Sequence, residues 1–304
     1  MLACLPMFAK RLALIVVLLG YGVLAILLLG FMAPGTFIGA DLAVYQHAGR
    51  DLLQHGNPYY STDLAGYTFQ YRYPPLLAML IPVLGWPPLW YALLAAATGA
   101  TFLIGVRMAG PAYLLPVIVL GGTWAQVLLN GNVQPVLMFL LVLVPLRRRT
   151  GAIGLAVATM LKLHPVLGLV WYASRRDWIA IRWYLGATVI LLIIQAPWMG
   201  QFLTYYTQQE VASPFGQTGI GLRAIHPLVW LIGTGIAAVA AWRWADTRFG
   251  WLLNVGLQLV ALPRVLASNL ALVLAAPIPS RAAERRARAT TAASAPPATA
   301  PQAH

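Results

Sequence analysis

One acidic residue, Asp41, follows the first long apolar run of the chain and is a candidate for proton-transfer chemistry. A carboxylate at a membrane surface can act as a general base on the hydroxyl group of an acceptor molecule. Aspartate is also favoured at the N-cap of a helix, where its side chain accepts a hydrogen bond from the backbone. The sequence leaves both roles open for Asp41, and one residue can fill both.

Arg72 lies between two tyrosines, in the sequence Tyr71-Arg72-Tyr73 directly before two prolines. A cation flanked by aromatic rings suits a phosphate group or the face of a sugar. An interfacial anchor of tyrosine and arginine would have the same composition. Both interpretations of Arg72 and Tyr73 stay open.

Lys162, His164 and Arg264 lie in apolar segments that are interrupted by proline. An ionisable residue at membrane depth is costly, so each is a candidate functional residue. A lysine there needs an anion or a carbonyl partner, and the neighbouring apolar segments contain no acidic residue. A lipid phosphate would supply the missing charge for Lys162 and Arg264. The alternative is that their side chains extend to the nearer membrane surface.

The segment from Asn130 to Gln134, with the sequence Asn-Gly-Asn-Val-Gln, predicts a tight turn because Asn-Gly favours one. The amides of Asn130, Asn132 and Gln134 could also bind sugar hydroxyls. The remaining histidines lack metal-ligand spacing, and His226 before a proline is expected to cap a helix. No nucleotide-binding, zinc-binding or redox motif occurs, so the usual grounds for those chemistries are missing. The few carboxylates on the outer side argue against a multi-carboxylate metal site, so we expect neither a metal nor a cofactor.

The composition indicates that a lipid bilayer surrounds the elements that position these residues. Apolar residues make up 60% of the 304 residues, charged residues only 9%, and the mean hydropathy is +0.75. Soluble domains contain about 25% charged residues. The net charge of +13 would suggest nucleic acid in a soluble protein. Here the charge lies in short clusters between apolar runs, as the positive-inside rule describes, and we expect no nucleic-acid partner.

Several apolar segments approach the roughly 20 residues that a membrane helix needs. They are 12–33, 76–106, 111–129, 132–146, 151–174, 179–197, 225–244 and 249–278. Prolines interrupt three of them, 76–106, 151–174 and 249–278. Broken helices at membrane depth occur where protein or a water-filled cavity satisfies the backbone. The sequence therefore predicts an all-α, polytopic bundle of roughly 8–10 membrane helices, some of them broken or re-entrant.

The basic residues predict the orientation of this bundle in a cell membrane. Most of their clusters fall on one side if 151–174 and 249–278 are hairpins of two short helices. That side is cytoplasmic and includes the amino terminus. Two outer loops, 34–75 and 198–224, lie opposite, and the first contains a surface helix from Asp41 to His55 that ends at Gly56. Residues 281–304 are expected to form a disordered tail whose basic start lies against anionic headgroups.

Six short motifs follow one another along the chain. They are Asp41-Leu-Ala-Val-Tyr45-Gln-His-Ala48, Leu53-Gln-His-Gly56-Asn-Pro58-Tyr59-Tyr60, Tyr71-Arg-Tyr73-Pro74-Pro75, Asn130-Gly131-Asn132-Val-Gln134, Leu161-Lys162-Leu-His164-Pro165 and Arg175-Arg176-Asp177-Trp178. Their order resembles the family-87 glycosyltransferases of the GT-C superfamily, which are polyprenol-phosphate-mannose-dependent mannosyltransferases of prokaryotic membranes. The resemblance covers residues 10–200 best.

The resemblance implies a GT-C-like domain over residues 1–280 that transfers a hexose, expected to be mannose, with inversion. The donor would be a polyprenyl-phosphate sugar from the membrane lipid, and the acceptor a glycolipid or glycan. Asp41 would be the base. The substrate-binding residues would be the phosphate-neutralising Arg72, Lys162 and Arg264 and the sugar-pocket residues Tyr45, Tyr73, Asn130, Asn132 and Gln134, with His164 beside Lys162. Two alternatives stay open, a lipid carrier without chemistry and an inactive, shortened relative.

Overall fold

A computed structural model of the chain describes residues 39–63, 71–212, 222–262 and 267–280. These ranges contain helices and connecting turns and no strand, which confirms the predicted all-α class. The α-helices are Ala40–His55, Pro75–Met79, Ile81–Leu84, Pro87–Ala109, Leu114–Val119, Gly121–Leu129, Gln134–Val142, Arg148–Leu161, Leu169–Ser174, Trp178–Ala212, Leu222–Ile225, Pro227–Arg243 and Gly250–Val260. Short 3-10 helices are Tyr60–Asp63, Gly110–Tyr113, His164–Gly168 and Ala267–Ala275.

Two helical segments, Pro87–Val119 and Trp178–Tyr206, are long and apolar enough to cross a membrane. In the most apolar 18-residue stretch of each segment, only 22% and 17% respectively is buried inside the protein. Their apolar side chains therefore face outward instead of into a protein core, which favours a lipid environment. The predicted first span, 12–33, and the predicted tail, 281–304, lie outside the described residues.

The proline-rich segments are divided into shorter helices than the sequence predicts. Segment 76–106 comprises three helices, and only the last, Pro87–Ala109, has membrane-spanning length. Segment 132–146 contains the nine-residue helix Gln134–Val142, which rises only about 14 Å. The prediction of a separate full span over 132–146 is therefore wrong. Prolines lie in the first turn of these helices, where the missing N–H donor costs least.

The second predicted outer loop begins later than expected, because the helix Trp178–Ala212 continues past residue 197. Pro197 lies inside this helix. Tertiary contacts hold the continuation. The indole of Trp198 donates to the carbonyl of Gly56 at 2.7 Å, and Tyr205 stacks on Tyr59 with ring centroids 5.4 Å apart. This packing offsets the loss of a backbone hydrogen bond at the proline.

The first predicted helical hairpin is present, and the described parts of the second, on either side of residues 263–266, pack together. Arg148 and Asp177, at the two ends of the first, form an ion pair at 2.9 Å. The chain reverses between them at Lys162, whose backbone is extended. In the second hairpin the indole of Trp251 donates to the carbonyl of Ala275 at 3.0 Å. Each hairpin therefore begins and ends at the same end of the molecule.

The helix Pro87–Ala109 is about 35 Å long and separates two ends of the molecule that differ in charge. Near its start, Trp90 contacts the turn at Gly131, beside Asp41. Near its last residue, the carbonyl of Met108 accepts a hydrogen bond from Ser280. We call the end of the molecule near Trp90 and Asp41 the carboxylate end. At the second, the arginine end, Met108 lines one cavity together with Arg148, Arg175 and Arg248. Arg107, Arg147, Arg149, Arg176 and Arg243 lie within three residues of these positions or of Asp246 in the chain.

Candidate functional site

The predicted Asn-Gly turn ends the helix Gly121–Leu129, and we call residues 129–134 the amide turn. The backbone amide of Asn132 donates to the backbone carbonyl of Val127 at 3.0 Å, and the backbone amide of Gly131 donates to the carbonyl of Leu128 at 2.9 Å. This pair of bonds is the Schellman motif, which needs a residue with positive φ. Gly131 supplies it, with φ of 68°. The predicted turn is therefore confirmed.

Asp41 lies in the first turn of the helix Ala40–His55, which starts directly against the amide turn. The backbone amides of Asp41 and Leu42 donate to the carbonyl of Asn130 at 3.0 and 3.1 Å. Gly39 occupies the N-cap, and no side chain caps the helix. The N-cap role considered for Asp41 is therefore wrong. Its carboxylate instead accepts a hydrogen bond from the Asn132 side-chain amide at 2.9 Å.

Two aromatic side chains also hold the amide turn through hydrogen bonds to its backbone. The indole of Trp90 donates to the carbonyl of Gly131 at 2.8 Å, and the Tyr91 hydroxyl donates to the carbonyl of Leu129 at 3.0 Å. Neither residue was a candidate from the sequence. Their polar groups satisfy backbone carbonyls that the end of the helix leaves without intrahelical partners.

Lys162 joins the same network from the break in the first hairpin. Its ammonium donates to the side-chain carbonyls of Gln134 at 3.4 Å and Asn269 at 3.3 Å. The backbone amide of Gln134 donates to the side-chain oxygen of Asn132 at 2.8 Å, which links Lys162 to Asp41. Asn269 is a site residue that the sequence reasoning missed. The one feature of the sequence that could have indicated Asn269 is its polar amide within the apolar segment 249–278.

The Asp41 carboxyl group is half-buried, and its surroundings act on its acidity in opposite directions. Burial raises its pKa above the ordinary value for aspartate, while the Asn132 hydrogen bond and the charge of Lys162 act to lower it. Because burial has the largest effect, the net pKa is raised. Such a carboxylate, once deprotonated, is a stronger base than an exposed aspartate.

The rings of Tyr45 and Tyr73 pack against each other one helical turn beyond Asp41. The Tyr45 ring is fully buried and meets Tyr73 edge-on, with centroids 5.1 Å apart. The Tyr45 hydroxyl accepts a hydrogen bond from the backbone amide of Val133 at 3.4 Å, and burial raises its pKa well above 10. Tyr45 therefore packs behind the amide turn instead of lining an open pocket. Tyr73 is only half-buried.

The structure groups most of the predicted site residues but not all. Asp41, Tyr45, Tyr73, Asn132, Gln134 and Lys162 come together, and Asn130 takes part through its backbone carbonyl. Arg72 is half-buried beside Tyr73 in the chain. Arg264 lies outside the described residues.

A cavity of about 490 Å³ begins one residue beyond Lys162. It is mostly apolar, with two basic side chains in its lining. The lining comprises Leu163, His164, Val166, Leu167, Tyr206, Arg223, Pro227, Trp230, Leu231, Ala261 and Leu262. Among the described residues, neither ring nitrogen of the buried His164 has a hydrogen-bond partner. The cavity therefore offers an apolar volume beside a cationic, amide-rich network.

Within the described ranges, no three histidine, cysteine, aspartate or glutamate residues lie close enough together to hold a metal ion. Metal-independent chemistry stays a prediction. Comparison of the chain with protein-family models, with curated proteins and with solved structures finds no match. The function therefore has to be argued from the residues of this chain.

Proposed function

We propose that this protein is a multi-pass membrane glycosyltransferase of GT-C type that uses a polyprenyl-phosphate sugar. The observation that supports this most directly is the hydrogen-bonded network from Asp41 through Asn132 and Gln134 to Lys162. It puts a carboxylate of raised pKa and an ammonium group in one site, with neutral amides between them. A base and a phosphate-binding cation are the two groups that this transfer requires.

In the proposed reaction the acceptor hydroxyl oxygen attacks the anomeric carbon of the donor. The bond from that carbon to the phosphate oxygen breaks, and its electron pair leaves on the phosphate. Asp41 takes the proton of the hydroxyl group, so that the products are an inverted glycoside and polyprenyl phosphate. Single displacement of this kind gives inversion. The phosphate leaves without protonation, so one carboxylate is sufficient.

The cation network and the neighbouring cavity suit the two parts of such a donor. Lys162 is half-buried, and the neighbouring apolar segments contain no acidic residue that could pair with it. The phosphate of the donor would supply that negative charge, and Lys162 would neutralise it. The cavity of about 490 Å³ beside it would receive the first isoprenoid units, because its lining is mostly apolar. Arg223, in the same lining, would be a second cation near the phosphate. Mannose is the donor sugar that the family resemblance implies, and a glycolipid or polysaccharide is the acceptor.

The proposed orientation follows from the charge at the two ends. The arginine end would lie in the cytoplasm together with the amino terminus and the tail, and the carboxylate end would face the outer leaflet. A lipid-linked donor reaches such a site from within the bilayer. The cell membrane is therefore the proposed location.

The decisive experiment compares Asp41→Asn with the unchanged protein in membranes supplied with labelled polyprenyl-phosphate mannose and a broad panel of glycolipid acceptors. Loss of the base should lower transfer on the order of 10²–10⁴-fold, with donor binding nearly unchanged. Asp51→Asn is the matched control. It lies on the same helix, and its carboxylate holds Ser61 at 3.0 and 2.9 Å, contacts that an asparagine oxygen can partly keep.

Three outcomes separate the alternatives. Transfer lost in Asp41→Asn but kept in Asp51→Asn supports the enzyme. Donor binding without labelled product in the unchanged protein, over the whole panel, indicates a lipid carrier. Absence of both binding and product indicates an inactive relative and would overturn the proposal.

A further inference from the structure

We propose that the arginine end contains a second site, which binds the phosphate headgroup of an anionic membrane lipid. This inference rests on the membrane location and not on glycosyl transfer, so it can fail or hold independently of the catalytic proposal. The site, which we call the headgroup recess, is a cavity of about 400 Å³. The side chains used below are Arg148, Trp171, Arg175, Asp177, Asp246 and Arg248, all of which line it.

The charge of the arginine end favours an anion. Eight arginines lie there, and Asp177 and Asp246 are the acidic residues of this end within the described part of the chain. Asp177 is engaged, since it pairs with Arg148 at 2.9 Å and accepts from the backbone amide of Ala180 at 3.1 Å. The recess therefore has an excess of positive charge that its own carboxylates do not neutralise.

Two arginines of the recess remain available to a ligand. Arg175 meets Asp246 at only 3.4 Å, and 82% of the Asp246 side chain is exposed, so this pair is weak. Arg248 lies over the ring of Phe249 at 4.6 Å. Among the described residues it makes no ion pair with a carboxylate. A phosphate could thus replace Asp246 as the partner of Arg175 and engage Arg248 at the same time.

Arg175 is already oriented for such binding. Its guanidinium lies over the Trp171 ring at 4.7 Å and also donates to the carbonyl of Ala245 at 3.4 Å. A guanidinium held in one plane binds phosphate oxygens through two parallel hydrogen bonds. Because the aromatic stack restricts the side chain before binding, less conformational entropy is lost when the phosphate arrives.

The surroundings of the recess identify the anion as a lipid headgroup. Large aromatic side chains are exposed around the arginine end, with Trp178 at 60% and Trp242 at 55% exposure, and Trp244 and Phe249 nearby. Exposed tryptophans of this kind mark the level of the membrane–water interface. Beyond them, the helices Trp178–Ala212 and Pro227–Arg243 expose aliphatic side chains. The recess therefore lies at the depth of lipid phosphates, between aqueous and acyl-chain regions.

The test measures lipid binding by the purified full chain with native mass spectrometry. The probes are phosphatidylglycerol and phosphatidylcholine with identical acyl chains. We expect the unchanged protein to retain phosphatidylglycerol preferentially. The double substitution Arg175→Gln with Arg248→Gln should weaken that binding about tenfold or more. Arg182→Gln is the control, since Arg182 is an exposed arginine near this end that does not line the recess.

A second variant keeps the inference testable if the double variant does not fold. Asp246→Asn removes the carboxylate that competes for Arg175, so it should strengthen phosphatidylglycerol binding, a change opposite in sign. Any one of these binding results would overturn the proposal: no preference for phosphatidylglycerol, an equal loss in Arg182→Gln, or no gain in Asp246→Asn. Displacement of the lipid by millimolar inorganic phosphate would also overturn it, because the site would then select a soluble anion.

Discussion

The acidity of Asp41 is the property of a single side chain on which the catalytic proposal depends. Burial raises its pKa, and the Asn132 hydrogen bond and Lys162 charge oppose that rise. A general base is active only when deprotonated, so transfer should fall as the pH decreases through this raised pKa. The acidic limb of the pH profile should therefore lie above the ordinary aspartate value of about 3.9. Initial rates of mannose transfer measured across pH would check this.

Asn132→Ala should move that acidic limb to higher pH. The substitution removes the hydrogen bond that stabilises the charged carboxylate. The pKa of Asp41, which burial already raises, should therefore rise further. The control is Gln126→Ala, which removes an exposed amide from the preceding helix. A purely structural role for Asn132 would lower the rate at every pH without moving the limb, and that result would contradict the assignment.

Lys162→Met should lower kcat/KM for the donor while the protein still folds. It removes the proposed phosphate-binding cation and leaves the oxygens of Gln134 and Asn269 without their described donor. A charged hydrogen bond contributes about 1.5–3 kcal/mol, which corresponds to a decrease of roughly 10–100-fold in kcat/KM for the donor. Lys162→Arg should recover part of it. An unchanged KM for the polyprenyl-phosphate sugar would argue that Lys162 has a structural role alone.

At the scale of elements, the amide turn joins two parts of the chain that must stay in register for Asp41 to meet Asn132. Gly131→Ala should disturb this contact. The residue has φ of 68°, and an added Cβ would lie 2.7 Å from the Cβ of Leu42. The expected loss of folding free energy is about 1–3 kcal/mol, visible as a lower midpoint of thermal unfolding in detergent.

Gly122→Ala is the matched control for Gly131→Ala. Gly122 lies in the helix that precedes the turn, and a Cβ added there meets no atom within 4 Å. Because alanine favours a helix over glycine, the control should be neutral or stabilising by up to about 1 kcal/mol. Equal destabilisation by both substitutions would show that the turn geometry is not the cause.

Local signals in the sequence predicted several elements correctly. The surface helix spans Ala40–His55, and Gly56 at its C-cap adopts φ of 68° as a helix-terminating glycine does. His226 caps the helix Pro227–Arg243, since its Nδ1 accepts a hydrogen bond from the backbone amide of Leu228 at 3.1 Å. These features depend on residues close together in the chain. Hydrophobic period and turn residues are therefore sufficient to predict them.

The contacts that form the site were predictable only in part, because they join distant positions. Asp41 and Asn132 are 91 residues apart, and Lys162 and Asn269 are 107 residues apart. Hydrophobic periodicity reports which face of a helix is apolar, not which other segment packs on it. The motif resemblance grouped Asp41, Asn132 and Lys162 in one site. Nothing local to Asn269 or Trp90 connects either residue with that group.

At the scale of the whole molecule, the two ends differ in a way that suits a membrane. Arginine clusters that are distant in sequence meet at one end through the Arg148–Asp177 and Arg175–Asp246 pairs. The other end contains Asp41, the amide turn and Lys162. Exposed aliphatic side chains occupy the helices between them. A bilayer around this apolar zone would put the ends in different compartments, as both proposals require.

This division between compartments can be tested with single cysteines, since Cys4 is the one native cysteine of the chain. In a Cys4→Ser background, Gln54→Cys marks the carboxylate end and Thr247→Cys marks the arginine end, both at exposed positions. A membrane-impermeant maleimide should label the first in intact cells and the second only after permeabilisation. This is the pattern expected if the proposed orientation holds, because the positive-inside rule predicts a cytoplasmic arginine end. Labelling of both positions from the same side would contradict the arrangement, whereas the reverse pattern would keep the two ends apart and invert the orientation.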